Sequence, residues 1–419
     1  MPLYGFQTEN LWKMEDTKKT NSKLQLGLAL SSHAVTDLYA SFILGLIPVL
    51  ALKFNLSIFL VSLLTSVSGI SNSLTQPVFG FLSDKYGYRY FLIAGPLFSA
   101  IFISLLGVVP NYAIILVFLF LGNLAVASLH PPNAAMGGHY GGRRKGLANS
   151  LISFAGTFGY SIGSLFIILI IEKIGISFTP FAMIPGIIMA IILIKYLPKQ
   201  SSYKEKSGNI AFFKSLIKVK KIKIGLLAMI IFVSFGRDLL WLTLITFMPL
   251  YFTQAGINLT NIGYIFTFFG LVGASGGLLA GYLWDKLKRK TFLIQVSLLL
   301  GLPFIFFIYN SRGIMPVVLF IISGFFFISS LPLCIRLAQD IFPTKLSIAS
   351  ALVMGLSQGL SALTMMLLGK LADHKGMPFA TYIVLSIIIA GIILISFFPF
   401  LYRKAFERNV GFTGGERGI

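Results

Sequence analysis

Cysteine and charge are what this sequence has least of. A single cysteine, Cys334, stands among 419 residues, which excludes an internal disulfide framework and a thiolate metal site built within the chain. Charged side chains make up 11%, against about 25% in an ordinary soluble domain, too few to solvate a soluble fold of this length. No ATP-binding loop of the GxxxxGK type and no HExxH helix occurs, so neither a nucleotide-driven pump nor a zinc hydrolase is expected. Residues 1–23 hold charges and amides without an apolar run, so neither a secretory signal nor a first membrane span is expected there.

What is abundant is apolar. Hydrophobic residues reach 56% and the mean hydropathy is +0.87; 40 Phe and 41 Gly give the bulky yet closely packing composition of helices in lipid. An all-α integral membrane protein is expected. Stretches able to cross about 30 Å of hydrocarbon lie at 24–51, 57–82, 90–109, 112–136, 147–171, 178–196, 222–253, 260–284, 291–309, 314–338, 347–370 and 379–402. No stretch alternates apolar and polar residues at period two, so a membrane β-barrel is not expected.

The net charge of +21 is explained by topology. With the N-terminus cytoplasmic, 28 of the 34 Lys and Arg fall on that side, five fall on the other, and Arg237 lies within a span. This asymmetry places both termini in the cytoplasm and the chain in the cell membrane. The basic residues then face anionic lipid headgroups, so membrane lipids are the expected partner and nucleic acid is not. The expected division is a cytoplasmic N-terminal segment 1–23, a six-helix bundle 24–197, a basic linker 198–221, a second six-helix bundle 222–402 and a cytoplasmic tail 403–419. Within the linker, Ile210 to Val219 reads equally as a surface amphipathic helix or a solvated basic loop.

An internal repeat orders the twelve spans. Adding 201 takes Gly80 to Gly281, Asp84 to Asp285, Lys85 to Lys286, and Phe91-Leu92-Ile93 to Phe292-Leu293-Ile294. The same offset takes Asp37-Leu38 to Asp238-Leu239, Pro48 to Pro249 and Pro131 to Pro332. Two six-helix bundles related by a parallel repeat follow, with a substrate site between them near the bilayer midplane.

The loop Gly80-Phe81-Leu82-Ser83-Asp84-Lys85-Tyr86-Gly87-Tyr88-Arg89, echoed from Gly281 through Asp285, Lys286 and Arg289 to Lys290, resembles the signature of the major facilitator superfamily. It departs from that signature at Tyr88, where a basic residue is common, and at Lys288, where a glycine is common. Within the superfamily the first half is similar to the fosmidomycin-resistance type of efflux protein. The pieces that carry this likeness are Ser32-His33-Ala34-Val35-Thr36-Asp37, Leu129-His130-Pro131 and the run from Gly141 to Ser150 that leads to Gly156, Gly159 and Gly163. Ala338-Gln339-Asp340-Ile341-Phe342-Pro343 and Leu371-Ala372-Asp373 are similar in the second half. Pro132 stands where that family has a glutamate, and Ser164 where it has a proline. The resemblance implies the major facilitator fold, a transporter rather than an enzyme, and a cytoplasmic gate at Gly80, Asp84, Lys85, Gly87, Arg89, Gly281, Asp285, Lys286 and Arg289.

Ionisable groups deep in a span are costly, and each is a functional candidate. His33 and Asp37 are one helical turn apart and share a face. Asp37 lies near mid-span; His130 lies about 9 Å and His33 about 7 Å toward the cytoplasmic side at 1.5 Å per residue, so the two histidines share a depth. An imidazole titrates at about pH 6.5 when unperturbed, so His33, Asp37 and His130 together can load and release protons near neutrality; substrate contact and plain helix pairing are the other readings. The doublet Pro131-Pro132 removes two backbone donors from its span and is expected to kink it. Arg237 and Asp238 are consecutive, hence about 100° apart on a helix, and are expected to seek separate partners: Asp37 across the cleft or an anionic substrate group for Arg237. Trp241, one turn on, and Asn123 complete the expected substrate cavity.

The expectation is a monomeric secondary transporter with no cofactor and no bound metal, exporting a small organic molecule or drug against proton entry. Proton-linked uptake of a small organic anion is the alternative; a membrane receptor or membrane-embedded enzyme is more remote.

Overall fold

The computed structural model describes residues 22–140, 145–198, 221–287, 290–342 and 352–406. These are helical with no strand among them, and twelve helices are long and apolar enough to cross a membrane. They are α1 (Ser22–Lys53), α2 (Ile58–Ser83), α3 (Tyr88–Gly107), α4 (Tyr112–Gly137), α5 (Ser150–Lys173) and α6 (Ile176–Tyr196) in the first half. In the second half they are α7 (Ile222–Gln254), α8 (Leu259–Trp284), α9 (Lys290–Ile308), α10 (Met315–Ile341), α11 (Leu352–Lys375) and α12 (Met377–Arg403). The linker residues 199–220, including Ile210 to Val219, the loop residues Gly141 to Arg144, Lys288 and the gate residue Arg289 lie outside the described residues.

One span departs clearly from its hydropathic expectation. The run 347–370 continues as helix to Lys375, because a helix stops where its backbone can turn rather than where polarity rises. His374 and Lys375 remain helical, and the chain turns at Gly376, whose φ of 84° suits glycine. Residues Leu352–Leu356 of α11 form a π turn.

Twelve crossings bring the beginning of α1 and the end of α12 to one face of the bundle, called here the terminal face; the α1–α2, α5–α6, α7–α8 and α11–α12 turns occupy the distal face. The halves meet along two helix pairs, α2 with α11 and α5 with α8, and α7 packs on the distal part of α1. Small residues make this approach possible. A methyl group added at Gly69 in α2 would lie 2.9 Å from Ala362 Cβ in α11, and the repeat-equivalent Gly270 in α8 meets Ser161 in α5. Lipid gives no hydrophobic drive for helix association, so close van der Waals contact of this kind helps to join the halves.

Each half is held by its own ties between helices. The Tyr39 hydroxyl donates to the Ala182 carbonyl at 2.8 Å and accepts the Gly186 N–H at 2.8 Å, satisfying a fully buried phenol and fastening α1 to α6. In the second half Phe269 and Phe320 stack with centroids 4.2 Å apart, joining α8 to α10.

Candidate functional site

The site is assembled on α1. His33 and Asp37, one turn apart, approach to 3.3 Å between Nε2 and Oδ2. From α4, His130 brings Nδ1 to 3.1 Å of His33 Nε2, and its own Nε2 lies 3.7 Å from Asp37 Oδ1. The third wall is α5, where the Ile152 carbonyl accepts the Nδ1–H of His33 at 2.8 Å. The three side chains retain 13%, 15% and 23% exposure for His33, Asp37 and His130: they are enclosed by helices without being fully buried.

Glycine explains why α5 comes so near. A Cβ at Gly156 would fall 2.6 Å from Asp37 Oδ2 and 2.7 Å from His33 Nε2, and Gly159 and Gly163 press against the α1 backbone at Ala34 and Leu38. Gly159 and Gly163 have the four-residue spacing that lets two membrane helices touch. One turn beyond Gly156 stands Tyr160, whose ring lies 5.9 Å from that of Trp241 in α7. Trp241 stacks on Phe269 at 5.5 Å, so an aromatic row crosses from the first half to the second beside a small crevice that Ser161 and Gly270 also line. Nothing in hydropathy marks Tyr160 or the Ile152 carbonyl; the only sequence signal is their register with the α5 glycines.

The ligand atoms of His33, Asp37 and His130 lie within 4.8 Å of one another, the spacing a metal ion would require, and this grouping is found among the described residues. A chain of hydrogen bonds and shared protons fits the same spacing, since the closest separations, 3.1 and 3.3 Å, fall at donor–acceptor distances.

Arg237 and Asp238 depart from expectation. Both are buried, 6% and 3% exposed, and they form an ion pair with each other. The angle between consecutive residues separates their Cβ atoms, but an arginine stem is long enough to fold its guanidinium back onto its neighbour. Ser357 in α11 donates its hydroxyl to the same carboxylate. No ion pair joins Arg237 to Asp37 among the described residues, and Arg237 Nε has no hydrogen-bond partner there. Asn123 is buried and its amide donates to the Leu119 carbonyl one turn back, at 2.9 Å. Through Pro131 and Pro132 α4 continues as one helix.

At the terminal face, Gly87 has a φ of 92° and ends α2, its N–H reaching the Ser83 carbonyl at 2.9 Å. Gly80 packs toward Pro131, whereas Gly281 has open space before it. Lys85 and Lys286 lie over the rings of Tyr86 and Tyr282 at 5.0 and 4.4 Å. Arg89 reaches α6, donating to the Ile194 carbonyl at 2.6 Å and to the Leu197 carbonyl, a contact inside one half rather than between halves. The side chains of Asp84 and Asp285 lie outside the described residues. Asp340 in α10 pairs with Lys290 at the start of α9, at 2.9 Å, more closely than with Arg336 at 3.8 Å.

Residues 29–347 match the Major Facilitator Superfamily. The chain is 26% identical over 363 residues to the fosmidomycin resistance protein of Escherichia coli (strain K12), covering 85% of this chain and 88% of that one. It is also 26% identical over 356 residues to an uncharacterized MFS-type transporter, YfnC, of Bacillus subtilis (strain 168), covering 82% and 85%. Among solved structures, a bacterial homolog of the human lysosomal transporter Spinster in an inward-facing, occupied conformation superposes with a TM-score of 0.73 at 15% identity, over 93% of this chain and 99% of that one. A D-xylose–proton symporter superposes at 0.69 and 15% identity, over 90% and 97%. Twelve helices in two repeated bundles, a polar cluster enclosed by the first bundle, and a family match over most of the spans lead to one conclusion: this chain belongs to the major facilitator superfamily of membrane transporters.

Proposed function

We propose that the protein exports a small organic molecule by alternating access, driven by proton entry, with His33, Asp37 and His130 as the proton-handling group. It acts in the cell membrane with both termini cytoplasmic. The observation that carries the reading is the convergence of two imidazoles and one carboxylate at 3.1 and 3.3 Å within one half. Such groups are costly in a membrane unless they work, and imidazole exchanges protons in the physiological range. The repeat supports a division of labour, since the offset of 201 turns His33 into Ser234 and His130 into Leu331. Export is favoured by the likeness to a fosmidomycin resistance protein. Uptake of an organic anion loses its main support, because the buried cation that would attract the anion, Arg237, is already neutralised by Asp238.

The test is Asp37→Asn in proteoliposomes with an imposed pH gradient, using substrates found by growth-inhibition profiling of overexpressing cells. Gradient-driven transport is expected to fall to background while substrate counterflow persists. Full response of Asp37→Asn to the gradient would move the proton site elsewhere, with Asp238 next in line.

A further inference from the structure

At the distal face each half reaches across to the other with one carboxylate. Asp373, in the last turn of α11, accepts the Ile58 N–H at 2.7 Å on one oxygen and the Phe59 N–H at 3.0 Å on the other. Glu172, in the last turn of α5, accepts the Thr260 N–H at 3.1 Å on one oxygen and the Thr260 hydroxyl on the other. The donors sit in the first turns of α2 and α8. Each of those turns is also capped from within its own half, by Ser57 accepting from Leu60 at 3.3 Å and by Asn258 accepting from Asn261 at 2.8 Å. The free N–H groups of a helix start are thus shared between a local cap and a carboxylate of the opposite half.

The two contacts are one contact made twice. Adding 201 takes Glu172 to Asp373, Ser57 to Asn258 and Phe59 to Thr260. It also takes Asn55 to Gly256, the left-handed residues of the preceding turns with φ 48° and 79°, and Gly175 to Gly376, which follow α5 and α11 with φ 111° and 84°. Carboxylate, cap and turn have all been kept in both copies.

Electrostatics gives the arrangement a direction. A carboxylate in the last turn of a helix faces the negative end of that helix's dipole, an unfavourable place, whereas at the first turn of another helix it meets the positive end. Closure of the distal face brings both acids to the positive end of the facing helix, which offsets the unfavourable end of their own, and opening removes that compensation from both. Beneath them the Thr65 and Thr246 hydroxyls, one from each half, share a buried hydrogen bond of 2.8 Å. We infer that Glu172 and Asp373 are paired locks of the distal gate, holding the halves together at this face in one state of the transport cycle and releasing them in the other. The assignment rests on the alternating-access reading given above and is independent of where the proton binds.

The test is a distance measurement. In a Cys334→Ser background, Pro110→Cys and Arg312→Cys place spin labels on exposed distal connections of the two halves, and pulsed EPR in proteoliposomes reads the near and far populations. Glu172→Gln and Asp373→Asn are each expected to raise the far-to-near ratio about threefold, the scale of one surface charge at a helix N-terminus. Because the two sites are separate, the double variant is expected to raise it about tenfold, and the charge-conserving Glu172→Asp and Asp373→Glu to restore most of the near population. An unchanged distribution in the double variant overturns the locks. If transport by the parent protein follows the pH gradient in those vesicles, the proton-driven reading survives that result. If instead distances shift as expected while a pH gradient drives nothing, the locks stand and the proton reading falls. A single distance population that no variant moves overturns the locks together with alternating access.

Discussion

The Nδ1–H of His33 donates to the backbone carbonyl of Ile152 at 2.8 Å. A carbonyl can only accept, so Nδ1 keeps its proton and Nε2 is the atom that exchanges one. That atom faces Asp37 and His130 together, at 3.3 and 3.1 Å, so under the proposed coupling a proton arriving at Nε2 would pass within the cluster without a side-chain rotation.

His130 is the junior member of this cluster, with the longer contact to Asp37, 3.7 Å. His130→Gln keeps a hydrogen-bonding group beside His33 but cannot titrate. Gradient-driven transport is expected to persist, with the pH of half-maximal rate displaced by about one unit or less, read from initial rates between pH 5.5 and 8.5 (roughly the range over which imidazole titrates). Loss of gradient drive equal to that of Asp37→Asn would make His130 an equal partner.

Gly156→Ala tests the crowding around that cluster. The backbone there is helical, so alanine is the better helix former by about 1 kcal/mol and folding is expected to survive. The new methyl would fall 2.6 Å from Asp37 Oδ2 and 2.7 Å from His33 Nε2, too close to be accommodated without moving them. A loss of at least about tenfold in coupled transport, roughly 1.4 kcal/mol in barrier terms, is expected at near-normal yield in detergent. Unimpaired coupling would show that the acid and imidazole do not need their present positions.

Arg237 and Asp238 are expected to be interdependent. Arg237→Met alone leaves a buried carboxylate whose remaining hydrogen bond among the described residues comes from Ser357, and removing one member of a buried ion pair costs about 3–5 kcal/mol. Arg237→Met with Asp238→Leu removes both charges and is expected to recover most of that loss. Thermal unfolding of detergent-purified protein decides it: equal destabilisation in the single and double variants would mean that the pair does not act as a unit.

Orientation is checked with single cysteines at Ser202 and Asn111 in a Cys334→Ser background. An impermeant thiol reagent applied to intact cells is expected to label position 111 and spare position 202, as the distribution of Lys and Arg requires. The reverse pattern would invert the protein in the membrane.

Averages over many residues were the legible part of this sequence. Twelve apolar runs and the offset of 201 each pool dozens of positions, which is why helix number, bundle division and repeat are readable from them. His33 and Asp37 are legible as a pair because their spacing equals one helical turn, and His130 joins them by counting residues along a span. Contacts made by long or backbone groups escape such reasoning. The guanidinium of Arg237 doubles back on Asp238 although their Cβ atoms diverge, and the Ile152 carbonyl reaches His33 only because α5 lies against α1. Glu172 and Asp373 were within reach of the offset, yet an acid at a helix end carries no hydropathic signal; its meaning lies in the helix opposite.

Arg89 has a mechanical consequence. By gripping the Ile194 and Leu197 carbonyls, it clamps the start of α3 to the last turn of α6, at the point where the chain leaves the first half. A helix end secured in this way resists fraying, so a pull on the chain beyond α6 is carried into the start of α3 rather than unwinding that end.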